Sequence, residues 1–216
     1  MITDMQMIET PKVLLLKRNY QISKRLFDLT LCLLAAPLIL LVMAVTAVLI
    51  WIDDPGPISF TQMRTGKGGQ RFAMYKFRTM VTNAEELKQE YMHLNELTLP
   101  DFKITDDPRV TRIGRILRKT SLDELPQFIN VIKGDMSLVG PRPTSFDVST
   151  YSLWHTERLE VLPGITGLWQ VNGRSDVDFD QRLLMDIEYI ERQSLLLDIQ
   201  ILFQTVMAIF TQNGAY

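Results

Sequence analysis

The 216-residue sequence holds one cysteine, Cys32, and two histidines, His93 and His155. A single thiol excludes an intramolecular disulfide and any multi-cysteine metal site. The histidines are too isolated to read as ligands. There is no basic surplus either: a net charge of -2 and a pI near 5.7 argue against a nucleic-acid partner, which needs a strong cationic excess. No N-terminal stretch has the build of a cleavable signal, because the long apolar run starts after residue 28 and lacks a small-residue cleavage site in register. Internal repeats and low-complexity tracts are also missing.

What is present begins with that apolar run. Leu29 to Ile52 is 24 residues without a charge, broken only by Thr30, Pro37 and Thr46. As a straight helix it would be roughly 36 Å long, enough for a hydrocarbon core of about 30 Å. Soluble core helices seldom run so far without a polar face, so the run is expected to enter a membrane. Five cations precede it (Lys12, Lys17, Arg18, Lys24, Arg25) and five follow within residues 53–80 (Arg64, Lys67, Arg71, Lys76, Arg78). This tie gives the positive-inside rule nothing to choose. A helix that enters and leaves on one face would remove the conflict, and Pro37 supplies a place to bend. A kinked spanning helix stays open, since such helices tolerate proline.

Beyond the turn-rich exit at residues 53–57, residues 58–62 read as a strand. Gly66, Gly68 and Gly69 turn it into a second strand over 71–78, whose Lys76 and Arg78 could meet lipid headgroups or substrate phosphate. Asn83 and Glu86 suggest a capped polar helix, and Thr98 to Thr105 a loop. Asp107-Pro108 predicts a helix start, with Val110, Ile113 and Leu117 on one face and the cations Arg109, Arg112, Arg115, Arg118 and Lys119 largely on the other. A second helix carries Leu125, Phe128, Ile129 and Ile132 until Gly134 stops it. Residues 135–139 read as a short strand, and Gly140 to Pro143 and Pro163 to Gly167 as rigid loops. Ser194 to Phe210 is an apolar helix with a thin polar stripe at Asp198, Gln204 and Thr205, which suits a membrane surface and a protein core equally. Trp154, Trp169 and Tyr189 read as packing residues.

The chemistry concentrates at Arg118-Lys119-Thr120-Ser121-Leu122-Asp123-Glu124-Leu125-Pro126. Ser121 and Glu124 fit a capping box, and acidic residues in a first turn also favour the helix dipole. Adjacent helical positions point about 100° apart, so Asp123 and Glu124 are expected to take separate roles. The functional reading places an anion beside them. A helix mouth offers N–H groups to phosphate oxygens, and Arg118 and Arg142 could neutralise a diphosphate. A divalent ion would shield an approaching carboxylate, since two like charges 4 Å apart repel by about 4 kcal/mol at an effective dielectric of 20. In that setting Asp123 can be a nucleophile.

Taken together, the motifs resemble the bacterial sugar transferases, the monotopic polyprenol-phosphate phosphoglycosyl transferases that initiate exopolysaccharide and O-antigen assembly. The resembling residues are Lys24-Arg25-Leu26-Phe27-Asp28, Tyr75-Lys76-Phe77-Arg78-Thr79-Met80, and Arg118 through Gln127. They continue with Lys133 through Pro143 and Pro163 through Arg174. The resemblance implies a double displacement. The aspartate matching Asp123 attacks the sugar-linked phosphate of a UDP-sugar and UMP leaves. Undecaprenyl phosphate then takes the phosphosugar, a hexose-1-phosphate, from the enzyme. Glu124 would position or deprotonate groups. Arg118, Arg142, Lys76, Arg78, Pro141 and Arg174 fall on substrate-binding positions, and Mg2+ is expected with Asp123 as its protein contact.

The implied architecture is mainly α with short β elements. It comprises a lead segment (1–23), a re-entrant membrane helix (24–52) broken at Pro37, and a small α/β catalytic domain (53–216) with interfacial amphipathic helices at the cytoplasmic face of the bacterial inner membrane. UDP-sugar, undecaprenyl phosphate and membrane lipid are the implied partners, with no nucleic acid; a homodimer is compatible with it. Ala36 stands where some members have serine, so a hydroxyl that would help the bend is missing. Long members add further helices and a domain, so this chain looks like the minimal catalytic core. Gly173 to Asp176 and Gly214-Ala215-Tyr216 look more like members that move glucose or galactose phosphate. Two other readings remain: direct transfer with Asp123 or Glu124 as base, and a membrane-tethered scaffold without turnover.

Overall fold

The computed structural model describes residues 18–96, 104–150, 153–172 and 179–211. A single helix, α1 (Arg18–Asp53), leads into an antiparallel hairpin of β1 (Ser59–Thr65) and β2 (Arg71–Phe77), paired from Ser59↔Phe77 to Thr65↔Arg71. Next come α2 (Arg112–Thr120), α3 (Gln127–Lys133) and β3 (Ser137–Val139). β3 pairs in parallel with β4 (Gly164–Thr166). Three helices follow: α4 (Leu168–Asn172), α5 (Phe179–Glu191) and α6 (Leu195–Thr211). The chain is therefore mainly helical with two small sheets. The expected hairpin, the strand before Gly140 and the Gly134 stop are all present, with Gly134 in the left-handed region at φ 92°.

Several local expectations are corrected. α2 does not start at Asp107-Pro108. Thr111 is its N-cap, accepting from the Gly114 N–H at 2.9 Å, while Asp107 accepts from the Arg109 N–H and pairs with its guanidinium at 2.6 Å. An aspartate two residues before a free N–H closes an Asx turn instead of a helix, and it draws Arg109 inside, only 4% exposed. Asn83 and Glu86 open no α-helix; that stretch holds only short 3-10 turns at Glu86–Lys88 and Met92–Leu94. The Pro163 to Gly167 loop contains a strand. Its glycine serves close approach, since a Cβ on Gly164 would lie 2.1 Å from the Gly140 nitrogen. Residues 98–103 of the expected 98–105 loop, Arg174 with its neighbours 173–178, and the C-terminal Gly214-Ala215-Tyr216 lie outside the described residues.

The main core joins Cys32 of α1, Met74 of β2, Val131 of α3, Val139 of β3, Leu168 of α4, Tyr189 of α5 and Ile201 of α6. A second cluster joins Ile50, Phe77 and Leu117. α3 is oriented by a buried amide. Asn130 accepts from the Tyr75 N–H at 3.0 Å and donates to the Ala73 carbonyl at 2.7 Å, fastening the helix to β2. This turns Gln127, Asn130 and Val131 inward and leaves Ile129 and Ile132 exposed. α6 is likewise inverted. Asp198, fully buried, pairs with Lys24 at 2.8 Å and accepts from the Tyr189 hydroxyl at 2.7 Å, whereas Leu196, Ile199, Phe203 and Val206 face outward.

α1 meets this body at both ends. Near its start, Arg25 donates to the carbonyls of Val131 and Ile132, and Asp28 accepts from the Ser137 hydroxyl at 2.7 Å. Near its end, Asp53 accepts from the Ile113 N–H at 2.9 Å, and Ile50 sits in the second core. Between them Leu33, Leu34, Leu38, Leu40, Leu41 and Val45 are exposed. Residues Tyr20–Asp53 form a helix long and apolar enough to cross a membrane. Pro37 lies inside it without interrupting the helix, so the expected break is absent as a gap in helical structure.

Candidate active site

Asp123 and Glu124 sit on a 3-10 turn, Leu122–Glu124, between α2 and α3. Ser121 ends α2 in the left-handed region at φ 56°, the one non-glycine residue there among the described residues. Its side chain makes no capping bond, so the capping-box reading fails. Leu122 and Leu125 pack on the second core. Anchored there, the turn presents its two carboxylates away from that core.

Glu124 is tied down. Lys76 of β2 donates to its Oε1 at 2.7 Å, and Arg142, just beyond β3, grips it as a fork through Nη2 at 2.5 Å and Nη1 at 3.2 Å. Burial pushes this carboxyl up, but the adjacent Arg142 and Lys76 outweigh burial and hold it well below its ordinary range. Asp123 is treated differently. Lys76 is 3.7 Å away, and among the described residues Asp123 accepts no hydrogen bond. Burial raises its pKa; Lys76 counters that in part, and the charge of Glu124 adds to it. Two neighbouring carboxylates thus receive opposite environments: Glu124 is a fixed anion, and Asp123 is an anion short of partners.

Arg118 donates through Nε to the Thr79 hydroxyl at 2.9 Å and lies close enough to Asp123 to favour its charged form. Its Nη1 and Nη2 have no acceptor among the described residues. Arg142, Lys76 and Arg118 are therefore brought together around the two carboxylates, and Pro141 adjoins them, its carbonyl accepting from the Gly164 N–H at 2.9 Å. Arg78 is not brought there. Its guanidinium is bound to the side chain and carbonyl of Asp54, at the exit of α1. Lys76 and Arg78 have the i, i+2 spacing that would share a face of a continuous strand, but β2 ends at Phe77 and Arg78 lies beyond it, where Asp54 captures its guanidinium.

A cavity of about 160 Å³ opens beside Arg142, lined also by Arg64, Phe146, Arg158, Trp169 and Arg182. Arg158 and Asp186, a buried ion pair at 2.6 Å, were not singled out from sequence. Arg158 stands in a Thr-Glu-Arg-Leu-Glu run that reads as a solvated face, yet it is 6% exposed. No group of three or more His, Cys, Asp or Glu side chains suited to a metal occurs among the described residues. Asp123, with no hydrogen bond to its oxygens, fits an ion that takes one protein oxygen and otherwise phosphate and water.

The pattern characteristic of the bacterial sugar transferases matches residues 19–212. The chain belongs to that family. Among its relatives, the galactosyl transferase CpsE of Streptococcus agalactiae is 43% identical over 204 residues, covering 92% of this chain and 44% of the relative. The undecaprenyl-phosphate galactose phosphotransferase of Salmonella typhimurium is 41% identical over 229 residues, 99% of this chain and 47% of that protein. The exopolysaccharide production protein ExoY of Sinorhizobium fredii is 43% identical, with 90% of this chain and 88% of ExoY covered. The chain thus spans about half the length of the first two sugar transferases and most of the third.

Proposed function

We propose that this sugar transferase moves a hexose-1-phosphate from a UDP-sugar to undecaprenyl phosphate through a covalent intermediate on Asp123, releasing UMP. This would be the first membrane step of exopolysaccharide or O-antigen synthesis. The name of the Salmonella relative supports undecaprenyl phosphate as acceptor and a hexose phosphate as the group moved, and that of ExoY supports the exopolysaccharide setting. The observation that carries the mechanism is the contrast between Asp123 and Glu124. A carboxylate short of hydrogen bonds, among cations, is poised to form a bond to phosphorus. A carboxylate held ionised by two cations is not placed to take up a proton, so Glu124 acts by fixing Lys76 and Arg142.

In the first step an Asp123 oxygen attacks the sugar-linked phosphorus. The bond from that phosphorus to the bridging oxygen breaks, and the electron pair leaves with UMP. In the second step an oxygen of undecaprenyl phosphate attacks the same phosphorus and the Asp123 carboxylate is released. Arg118 and Lys76 offset the charge at the attacked phosphate, and Arg142 lies between it and the cavity. Mg2+ held by Asp123 would supply further charge neutralisation for the diphosphate. Incubating the purified protein with UDP-hexoses labelled in the sugar-linked phosphate, without lipid acceptor, should release UMP and leave label on the protein. Release of UDP would mean glycosyl transfer and would overturn the scheme.

The contacts of α1 support a re-entrant placement in the membrane. Asp28 and Ile50, roughly 33 Å apart along a straight helix, both dock on one body rich in charged residues. A straight crossing would need that body to reach both headgroup layers through hydrocarbon, where charges are costly. Re-entry keeps it on one side, the cytoplasmic face where UDP-sugars are made. The outward apolar residues of α3 and α6 would then rest on the lipid. On a Cys32→Ser background, exposed Ser23→Cys and Ser59→Cys should both be sealed from an impermeant thiol reagent in intact cells and both react in inverted vesicles. Labelling of one site from outside would rule out re-entry.

A further inference from the structure

Arg158 is positioned by a residue that touches nothing else in the site. Its Nη2 donates to Asp186 at 2.6 Å and to the Arg142 carbonyl at 2.6 Å. Asp186 is 1% exposed, and its second oxygen, Oδ1, has no hydrogen-bond partner. The pair is therefore a single-point contact that leaves most of the guanidinium uncommitted. Among the described residues, Nε and Nη1 of Arg158 have no acceptor. Neither nitrogen is sealed from solvent, although Arg158 as a whole is only 6% exposed. Arg158 and Arg142 together border the cavity of about 160 Å³ and a smaller one lined also by Thr65, Pro141 and Leu159, and the larger is the space with room for a ligand.

Direction matters here. Arg142 holds Glu124 with its guanidinium and also borders the cavity, so the cavity adjoins the cationic cluster around the two carboxylates. With the attacked phosphorus at Asp123, the leaving part of the donor extends past Arg142 toward Arg158. Resting on the transferase reading above, we infer that Arg158, oriented by Asp186, binds the phosphate of the departing nucleoside monophosphate. With Nη2 committed, Nε–H and Nη1–H lie on separate edges of the guanidinium, and each can donate a single charge-assisted bond to a phosphate oxygen. Their charge also meets the negative charge that builds on the bridging oxygen as the bond breaks. The aromatic lining at Trp169 and Phe146 leaves the nucleoside an apolar wall in the same cavity.

Binding of UMP and of uridine to the full chain in detergent tests this by calorimetry. Arg158→Met alone would strand Asp186, so it is paired with Asp186→Asn, because neutralising both partners of a buried pair is far milder than removing one. The double variant should keep a cooperative melt and bind UMP about 10- to 100-fold more weakly, the range for lost charge-assisted hydrogen bonds. Uridine binding should be unchanged. Asp186→Asn alone keeps the cation but loosens its positioning, so UMP affinity should fall by less than in the double variant while uridine binding is unchanged. A folded double variant that binds UMP like the wild type overturns the assignment, as does equal weakening toward uridine. A wild-type protein that binds neither UMP nor UDP-hexose would instead remove the transferase reading, and this inference with it.

Discussion

Exchange of Asp123 for asparagine should lower turnover by about 10⁴-fold or more, the scale on which loss of a covalent nucleophile is felt, and should also make the protein more stable near neutral pH. Both effects come from one environment. Asp123 is largely shielded from solvent, with its side chain 13% exposed, beside the anion Glu124, and has no hydrogen bond among the described residues, with Lys76 only at 3.7 Å. Its folded pKa is therefore raised above the ordinary 3.8. A carboxyl raised in this way binds its proton more tightly in the folded state than in the unfolded one. Its cost to folding is absent at pH values below both pKa values, grows as pH rises through the ordinary value, and is complete above the folded one. Asparagine carries no such cost.

The melting temperature of the variant should accordingly exceed that of the wild type at pH 7, and the gap should close toward pH 3 to 4. The same shift moves the acid limb of the first half-reaction above the ordinary carboxyl pKa. Label from a UDP-hexose should be retained by the wild type and not by the variant. A variant that turns over at the wild-type rate, or holds equal label, would show that phosphorus is never bonded to this side chain. Gain of stability with loss of rate is the expected signature of a site whose reactive group is left short of partners.

The features legible in sequence were those set by local chain chemistry. The β1–β2 hairpin follows from glycines between two strand-like runs, and Gly134 stops α3 because it alone adopts the left-handed region at that point without strain. Charge and phosphate chemistry suggested Arg118 and Arg142 beside Asp123 and Glu124, and the resemblance of several motifs to one family in the same order joined Lys76 to them. What the sequence concealed depends on which of several equivalent partners a side chain meets. Ser121 and Glu124 have capping spacing, but Glu124 has two cations within 2.7 Å, far stronger partners than a backbone N–H. Arg78 and Lys76 look alike in the chain, yet the first ends on Asp54. Ile129 and Ile132 have core periodicity and face outward because Asn130 forms hydrogen bonds to β2. Apolar periodicity reports a face, not which solvent or neighbour it meets, and beside lipid that ambiguity is complete.

Glu124→Gln separates a structural anion from a general base. Either role predicts a fall in turnover, here by about 10²- to 10³-fold, comparable to loss of one preorganised electrostatic contact. Only the structural role predicts instability. Glutamine keeps the shape and removes the charge, leaving Lys76 and Arg142, whose side chains are 17% and 33% exposed, facing each other across a neutral amide. Stranding partners of a buried pair costs about 3 to 5 kcal/mol, less here because both cations keep some water. Glu124 is held below its ordinary 4.5, so its contribution is full above that value and disappears as pH falls through the folded one. The melting-point deficit of the variant should thus be several degrees at pH 7 and shrink in acid, the reverse of the trend for Asp123→Asn. Lys76, released from Glu124, would be free to close on Asp123 and quench the nucleophile, so donor binding should survive while the chemical step slows. A variant that melts with the wild type at pH 7 while losing the acid limb of the rate profile would make Glu124 the base after all.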